Sequence, residues 1–334
     1  YDATIMKVTS TMVSRLAGVR LPYGPVLPDL ILKLRRTGGF NNDWDTTYAL
    51  TLFSILSLDE TKVRMIGKAG VSNDGARHSQ SKTEVRATLI RLSKIVEQFC
   101  SSSTGLGYAA VNRFLENRQK LSGSFKVAVK HVRDSLGYPG SPPNSFMATL
   151  FDETYCGPEL FKKMYGFPAR YYLGRGMIER ERVLISREIL EKLKEVLGGK
   201  KIAMATGRPF VATKYSLRHL MTYFDRRAST YIGDADVYAE LAAEYEKYRK
   251  PSGESLIRAR EEFATKGMLY VGDSVEDQMM VEDAKRKYDG ILFAAVSGTA
   301  PNEEEQVRYF TERGADVVMR SVEQVPLVLE AFRS

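Results

Sequence analysis

Two patterns of apolar residues divide the chain into a helical part and an alternating part. Between residues 14 and 150, apolar residues recur at helical spacing, as in 82–102 and 124–136, and almost no strand pattern occurs. From residue 200 onward, short apolar runs alternate with helical segments such as 275–288. Five of these runs predict strands: 200–206, 228–234, 267–273, 290–296 and 315–321. This alternation predicts an α/β fold, in which helices cover both faces of a parallel sheet.

Composition narrows the class of protein without naming a function. The 334 residues are 43% hydrophobic and 27% charged, with a net charge of +8. The basic residues are interspersed with acidic ones, so we expect a solvated surface and no nucleic-acid partner. No apolar run is long enough to span a membrane, and Cys100 and Cys156 have no metal-binding spacing. We therefore expect no membrane association and a cytoplasmic protein with free thiols.

Ligands of parallel α/β sheets bind at the carboxyl ends of the strands, so the polar residues there are the candidates for chemistry. Thr206 and Gly207 follow the first predicted strand, where a hydroxyl and backbone N–H groups can hold phosphate oxygens; the alternative is a simple helix cap. Lys250 precedes a Pro and a Ser-Gly turn. It is either a solvated charge or a point charge for a phosphate.

A pair of carboxylates follows the third predicted strand. Asp273 and Asp277 lie on either side of a strand-to-helix turn that Gly272 permits. Two carboxylates at this spacing can hold a hard cation such as Mg²⁺. The alternative is a helix N-terminus that Ser274 caps and that favours acidic residues.

The order of these motifs resembles the haloacid dehalogenase superfamily, whose members are mostly Mg²⁺-dependent phosphatases. The segments "TGRP", "KPSGESL" and "GDSVED" follow one another as that family's motifs do, and 151–166 looks like its return from cap to core. The resemblance covers roughly residues 151–334. It implies a Rossmann-like parallel sheet with an inserted, mainly α-helical cap. The core would begin at 1–13, the cap would span 14–150, and the core would resume over 151–334.

The resemblance also implies a chemistry. An aspartate would attack phosphorus to give an aspartyl-phosphate, and Asp273 would bind Mg²⁺ while Asp277 ligates or orients it. Thr206 and Lys250 would spread the charge of the transferring group, and Gly207 and Arg208 would contact phosphate. Two further arginines, Arg170 and Arg175, are candidates for added positive charge. The expected substrate is a small phosphorylated metabolite. The alternatives are a phosphomutase, a dehalogenase, or an inactive phosphate-binding or regulatory protein.

The nucleophile is the missing part of this pattern. The stretch from Asp43 to Thr47 reads D-x-D-x-T, as the family's nucleophile motif does, but the polar, glycine-rich "LRRTGGFNN" precedes it. Such a segment is not a buried parallel strand. We therefore expect the nucleophile and its strand to lie upstream of Tyr1, or a substitute strand to take that place, with Asp43 as the alternative nucleophile.

The segment "GGFNNDWD" then needs another role. Asn42, Asp43 and Asp45 surround Trp44, the only tryptophan. We hypothesise that this polar loop of the cap contacts the part of the substrate that is not phosphate. The alternative is that Asn42 or Asp43 caps the helix that follows.

Overall fold

A computed structural model describes residues 1–66, 81–102, 107–117, 123–199, 201–231, 247–300 and 302–332. Within it the chain forms two compact units, Tyr1–Glu179 and Arg180–Ser334, which are described separately. In the described part of the chain, no helix is both long enough and apolar enough to cross a membrane.

The regular elements described in the first unit are helices, as the spacing of its apolar residues predicts. In chain order they are α1 (Asp2–Ala17), α2 (Val26–Arg36), α3 (Asp43–Ser57), α4 (Glu60–Met65), α5 (Lys82–Ser102), α6 (Gly107–Glu116), α7 (Gly123–Leu136), α8 (Phe146–Cys156) and α9 (Pro158–Tyr165).

Helix α3 is the centre of the first unit. Every residue from Asp45 to Ser57 is buried, and the helix contacts α1, α5, α6, α7 and α8. The sequence explains this position, because a helix that is apolar on all sides is stable only when other elements surround it. Phe53 packs against Phe99 of α5 with ring centroids 5.2 Å apart. The core of this unit is therefore built around the helix that begins with the D-x-D-x-T motif.

The described residues of the second unit form two small parallel sheets. One pairs β1 (Ala205–Thr206) with β2 (Thr230–Tyr231), and the other has the order β3 (Met268–Gly272), β4 (Ile291–Val296), β5 (Val317–Met319). The α-helices of this unit are α10 (Arg187–Val196), α11 (Phe210–Leu217), α12 (Glu254–Glu262), α13 (Val275–Lys285), α14 (Glu303–Glu312) and α15 (Val325–Ala331).

Apolar clusters on both faces of β4 form the core of the second unit. Phe293 packs on one face against Met280 and Phe310, and Ala294 packs on the other with Leu190 and other residues of α10 and α15. Because both faces are covered, this strand reads as the continuous apolar run "ILFAAV". The structure confirms the mixed α/β class and parallel strands at all five predicted places.

Strands β1 and β3 each have an open edge in the described part of the chain. β1 pairs only with β2, and β3 pairs only with β4. All five residues of β3 are partly exposed, whereas five of the six residues of β4 are buried. Strands β2 and β5 are the other edge strands among the described residues, but β1 and β3 are the ones that end in the predicted motifs. The strand that the resemblance implies for the nucleophile stays a prediction.

Several sequence-based boundaries differ from those of the structure. The first strand is shorter than 200–206, and much of the helix predicted at 236–249 lies outside the described residues. Along the chain, the boundary between the two units lies between Glu179 and Arg180. Residues 151–179 therefore belong to the first unit and not to the predicted core. Residues 1–13 likewise pack in the first unit, where α1 contacts α3 and α8. The division into 1–13, 14–150 and 151–334 therefore stays a prediction about where a cap is inserted.

Candidate functional site

The turn after β3 is built by a local capping arrangement. The Ser274 hydroxyl accepts a hydrogen bond from the Asp277 backbone N–H at 3.2 Å, and the Asp277 carboxylate accepts one from the Ser274 N–H at 3.0 Å. This reciprocal pair is a capping box, which satisfies two donors that a helix N-terminus leaves without intrahelical partners. The predicted helix cap at Ser274 is confirmed, and it fixes Asp277 at the carboxyl end of β3.

The carboxylate of Asp277 is the hub of the site. One oxygen, Oδ1, accepts from Lys250 Nζ at 2.5 Å and from the Tyr270 hydroxyl at 2.7 Å. The other, Oδ2, accepts from the Ser274 hydroxyl at 2.7 Å and from the Asp273 N–H at 3.1 Å. The residue is only 3% exposed. Burial on its own raises a carboxyl pKa, but the Lys250 ammonium and these donors outweigh it and hold the pKa of Asp277 below its usual range.

Lys250 stays charged because it is paired with the Asp277 carboxylate. Burial alone favours the neutral amine, but the carboxylate of Asp277 outweighs that effect and raises the pKa of Lys250 above its ordinary value. The ammonium and the carboxylate therefore form a charged pair across the ordinary pH range. The alternative of a solvated lysine does not describe this residue, because its side chain is only 15% exposed.

Glycine is required at the end of β3 by close packing. A Cβ built on Gly272 would lie 2.5 Å from both Cβ and Cγ of Asp277. Real Cβ atoms do not approach other heavy atoms so closely, so a larger residue would push the carboxylate away from Lys250. The glycine of "GDSVED" thus serves the geometry of the hub as well as the turn.

Tyr270 links the hub to the end of β1. Its hydroxyl lies 2.7 Å from Asp277 Oδ1 and 3.5 Å from the carbonyl oxygen of Ala205, the residue before Thr206. The Thr206 hydroxyl accepts from the Arg208 N–H at 3.1 Å, which closes the turn after β1, and Gly207 is exposed there. The structure thus gathers the Thr206, Lys250 and Asp277 motifs around one hydrogen-bonded network.

The guanidinium of Arg208 already has an acidic partner. Nη1 and Nη2 lie 2.8 Å from the two carboxylate oxygens of Glu181, and Nη1 lies 3.1 Å from the Ser216 hydroxyl. A two-pronged pair of this kind holds the guanidinium plane in place and offsets its charge. Phosphate binding by Arg208 stays a prediction. Arg170 and Arg175, the other two candidates, lie in the first unit, where Arg175 pairs with Glu179.

Asp273 is the exposed member of the predicted metal pair. Its Oδ2 lies 3.4 Å from the Thr299 hydroxyl, and its backbone carbonyl accepts from Gln306 Nε2 at 3.1 Å. Among the described residues, no group of three or more His, Cys, Asp or Glu side chains is arranged to hold a metal ion. Of the two predicted ligands, Asp273 faces solvent and Asp277 faces Lys250.

The segment "GGFNNDWD" forms the beginning of α3 in the first unit. Asn42 is the N-cap residue, and its side chain accepts from the Trp44 N–H at 2.9 Å, which confirms the capping alternative. Asp43 lies in the first turn of α3, 3.1 Å from Arg35 Nη2, and the described residues 1–42 contain no strand. Burial raises the pKa of Asp43, and the Arg35 guanidinium opposes that effect.

Hydrogen bonds within the first unit explain the burial of Asp45. It is 4% exposed and accepts from the Tyr138 hydroxyl at 2.6 Å and from the Tyr108 N–H at 3.2 Å. A Cβ on Gly107 would lie 2.4 Å from Asp45 Oδ2, so the start of α6 approaches this carboxylate as closely as glycine allows. These contacts tie α3 to α6 and to the loop before α8. A role of Asn42, Asp43 and Asp45 in substrate recognition stays a prediction.

Sequence reasoning missed two buried carboxylates in the second half of α8. Asp152 accepts from Trp44 Nε1 at 3.1 Å and from the Tyr165 hydroxyl at 2.5 Å, and burial raises its pKa to about 7. Glu153 is fully buried and accepts the backbone N–H groups of residues 170–172 at 2.7–2.8 Å. The signal was their position directly after the apolar run 146–151. Tyr270 was missed as well, although its hydroxyl interrupts the apolar β3 two residues before Gly272.

Comparisons with known proteins add information on the fold. No protein-family model matches the chain, and no curated protein matches it. An X-ray structure determined as a target of the Northeast Structural Genomics Consortium is similar with a TM-score of 0.57 at 18% identity, over 99% of this chain and 94% of that one. Phosphatase Tt82 from Thermococcus thioreducens is similar with a TM-score of 0.48 at 18% identity, over 93% of each chain. The first likeness shows a shared fold and says nothing of activity, and the second is too weak to support an argument.

Proposed function

We propose that this protein is a Mg²⁺-dependent phosphatase of the haloacid dehalogenase type that acts on a small phosphorylated metabolite. The observation that carries the proposal is the network around Asp277. It joins a buried lysine and the acidic turn after β3 to the threonine turn after β1, through the hydroxyl of Tyr270. A helix cap alone needs neither the buried lysine nor the tyrosine, so the arrangement favours a phosphate site.

Each residue has a definite task in this proposal. The Thr206 hydroxyl and the backbone N–H groups of the following turn hold the phosphate oxygens, and Gly207 leaves room for them. Lys250 offsets the negative charge of the transferring group, and Asp277 fixes the position of its ammonium.

The metal ion of this proposal would bind at Asp273. A Mg²⁺ ion commonly takes one or two carboxylates and keeps several waters, which an exposed carboxylate at the end of β3 allows. When bound, it would supply Lewis-acid stabilisation of the phosphoryl oxygens. Asp277 would act as an orienting residue, because both of its carboxylate oxygens already accept hydrogen bonds from protein donors.

The nucleophile of this proposal is an aspartate. Asp43 begins a helix, whereas the proposed mechanism needs a carboxylate beside Thr206 and Asp273. We therefore place the nucleophile at an aspartate other than Asp43. Tryptic peptide mapping of a trapped aspartyl-phosphate would identify the residue, and phosphate on Asp43 would contradict the prediction.

Hydrolysis of p-nitrophenyl phosphate, with Mg²⁺ or with EDTA, tests the function. We expect activity that requires Mg²⁺ and falls about 100-fold or more in Lys250→Met and in Asp273→Asn, because loss of a charge-stabilising group costs about that much. Lys130→Met removes an exposed lysine of α7 and serves as the matched control. Activity without Mg²⁺, or full activity in both variants, would overturn the proposal.

An inactive phosphate-binding protein is the second candidate. The observation that favours it is that Asp277 already accepts hydrogen bonds from protein donors at both carboxylate oxygens, and that Asp43 begins a helix of the first unit. Calorimetry that detects binding of Mg²⁺ and inorganic phosphate, in a protein without turnover, would select this candidate.

A further inference from the structure

A second feature of the molecule lies outside the proposed chemistry. In the first unit, an open groove of about 1260 Å³ runs between α1 and the N-terminal half of α5. None of the residues predicted for phosphate or metal binding lines it.

The groove is strongly basic. Arg15 and Arg20 line it at the end of α1 and in the loop that follows, and Lys82 and Arg86 line it from α5. No acidic side chain is among its lining residues. Within the part of the chain that the structure describes, none of these four cations forms an ion pair with a carboxylate. Uncompensated charge of one sign favours a ligand of the opposite sign.

Helix α5 also adds apolar side chains to the lining of the groove. Val85 and Leu89 lie four positions apart on one side of the helix, and Ile90 lies four positions after Arg86 on the adjoining row. Ile90 is 48% exposed. Val85 and Leu89 lie at the edge of the face of α5 that Leu92 and Phe99 bury in the core. Helix α5 therefore presents to the groove a face that carries both apolar and basic side chains.

The facing wall, on α1, adds hydroxyl groups. Ser10, Thr11 and Ser14 line the groove at helical spacing. The volume exceeds the roughly 300–1,000 Å³ of typical pockets for single small molecules. An open groove lined by both apolar and basic side chains matches the way proteins bind an amphipathic helix, which packs its apolar face on apolar side chains and places its charges beside opposite charges.

We propose that this groove binds an acidic amphipathic helix of a partner protein. Leucine-like side chains of that helix would pack on Val85, Leu89 and Ile90, and its carboxylates would face Arg20, Arg86 and the other two cations. The chain's own segment 67–80 does not supply these charges, because its sequence has two basic residues and one acidic residue.

Fluorescence anisotropy with a synthetic probe tests the proposal. The probe is a fluorescein-labelled 18-residue peptide with leucine at positions that form one helical face and glutamate at most others. We expect one peptide per chain. We expect the dissociation constant to rise at least tenfold in the double variant Arg20→Glu/Arg86→Glu, and about threefold in Ile90→Ser. These side chains are exposed, so thermal unfolding should stay near that of the wild type.

Two controls separate a specific groove from general attraction between opposite charges. The double variant Lys126→Glu/Lys130→Glu changes the same charge on α7, outside the groove, and should bind the probe as the wild type does. A scrambled peptide of the same composition, without an apolar face, should bind at least tenfold more weakly. The proposal would be overturned if both double variants lost the same affinity for the probe, or if the scrambled peptide bound as tightly as the probe. The proposal would also be overturned if the protein bound phosphatidylserine vesicles through Arg20 and Arg86 but did not bind the probe.

Discussion

Ionisation of Asp152 should be visible in the fluorescence of Trp44. The chain has one tryptophan, and its indole N–H donates to Asp152 Oδ1 at 3.1 Å. Asp152 is 8% exposed, and burial raises its pKa to about 7, against the opposing effect of the Tyr165 and Trp44 hydrogen bonds. A neutral carboxyl should therefore become a carboxylate beside the indole near neutral pH.

The same shift predicts a change in stability with pH. The pKa of Asp152 rises from 3.8 to about 7, and each unit corresponds to about 1.4 kcal/mol, so the full effect is about 4 kcal/mol. The folded protein holds this proton more tightly than the unfolded chain does. The contribution is therefore fully present below pH ~4 and is lost as pH rises towards about 7.

The assay combines a fluorescence titration between pH 5 and 9 with urea unfolding at pH 5 and pH 8. In the wild type we expect a Trp44 emission change with a midpoint near 7 and lower stability at pH 8. Asp152→Asn keeps the shape and removes the titration, so its emission should be flat. Its stability should change by about 3 kcal/mol less between the two conditions, because pH 5 lies about two pH units below the folded pKa of Asp152. An unchanged titration in Asp152→Asn, or no titration in the wild type, would refute the reasoning.

Three further predictions concern single contacts. Asp277→Asn leaves the buried Lys250 ammonium without its carboxylate and should cost about 3–5 kcal/mol in urea unfolding at pH 7. Because the pKa of Asp277 is lowered, the difference from wild type should disappear only as pH falls below ~4; equal stability at pH 7 would contradict this. Gly272→Ala should cost about 1–3 kcal/mol, since its Cβ would overlap Asp277. The matched Gly207→Ala, which meets no atom within 4 Å, should cost less than about 1 kcal/mol. Glu153→Gln should release the backbone of residues 170–172 and speed tryptic cleavage there about tenfold, and unchanged cleavage would count against that role.

The sequence predicts which segments form helices and strands better than it predicts which residues contact one another. The apolar run of β4 and the Ser274 cap are visible because their signals lie within a few residues. The pair of Lys250 and Asp277 was suggested only by motif order, and 27 positions separate the two residues. Polarity patterns are local, so they identify a residue that needs a partner without identifying the partner.

Asp45 and Asp152 show this limit most clearly. The polar stretch around Asp45 suggested a loop that contacts substrate, but the structure satisfies this carboxylate with Tyr138, 93 positions away. No local sequence pattern identified Asp152 as a candidate, although it accepts a hydrogen bond from Trp44, 108 positions away. In both cases the chain folds back to supply a donor, because a buried carboxylate without a hydrogen bond is costly.

The open edge of β3 has a consequence for the behaviour of the protein in solution. Its residues, Met-Leu-Tyr-Val-Gly, are mostly apolar, and the edge away from β4 pairs with no strand that the structure describes. Such an edge pairs with an extended segment: the predicted strand of the nucleophile where that strand is present, and otherwise a segment of another chain, which is a route to aggregation. The net charge of +8 opposes this self-association by mutual repulsion, and salt weakens that repulsion. The protein should therefore aggregate more readily as ionic strength rises, and a lysine introduced at the edge of β3 should slow the process.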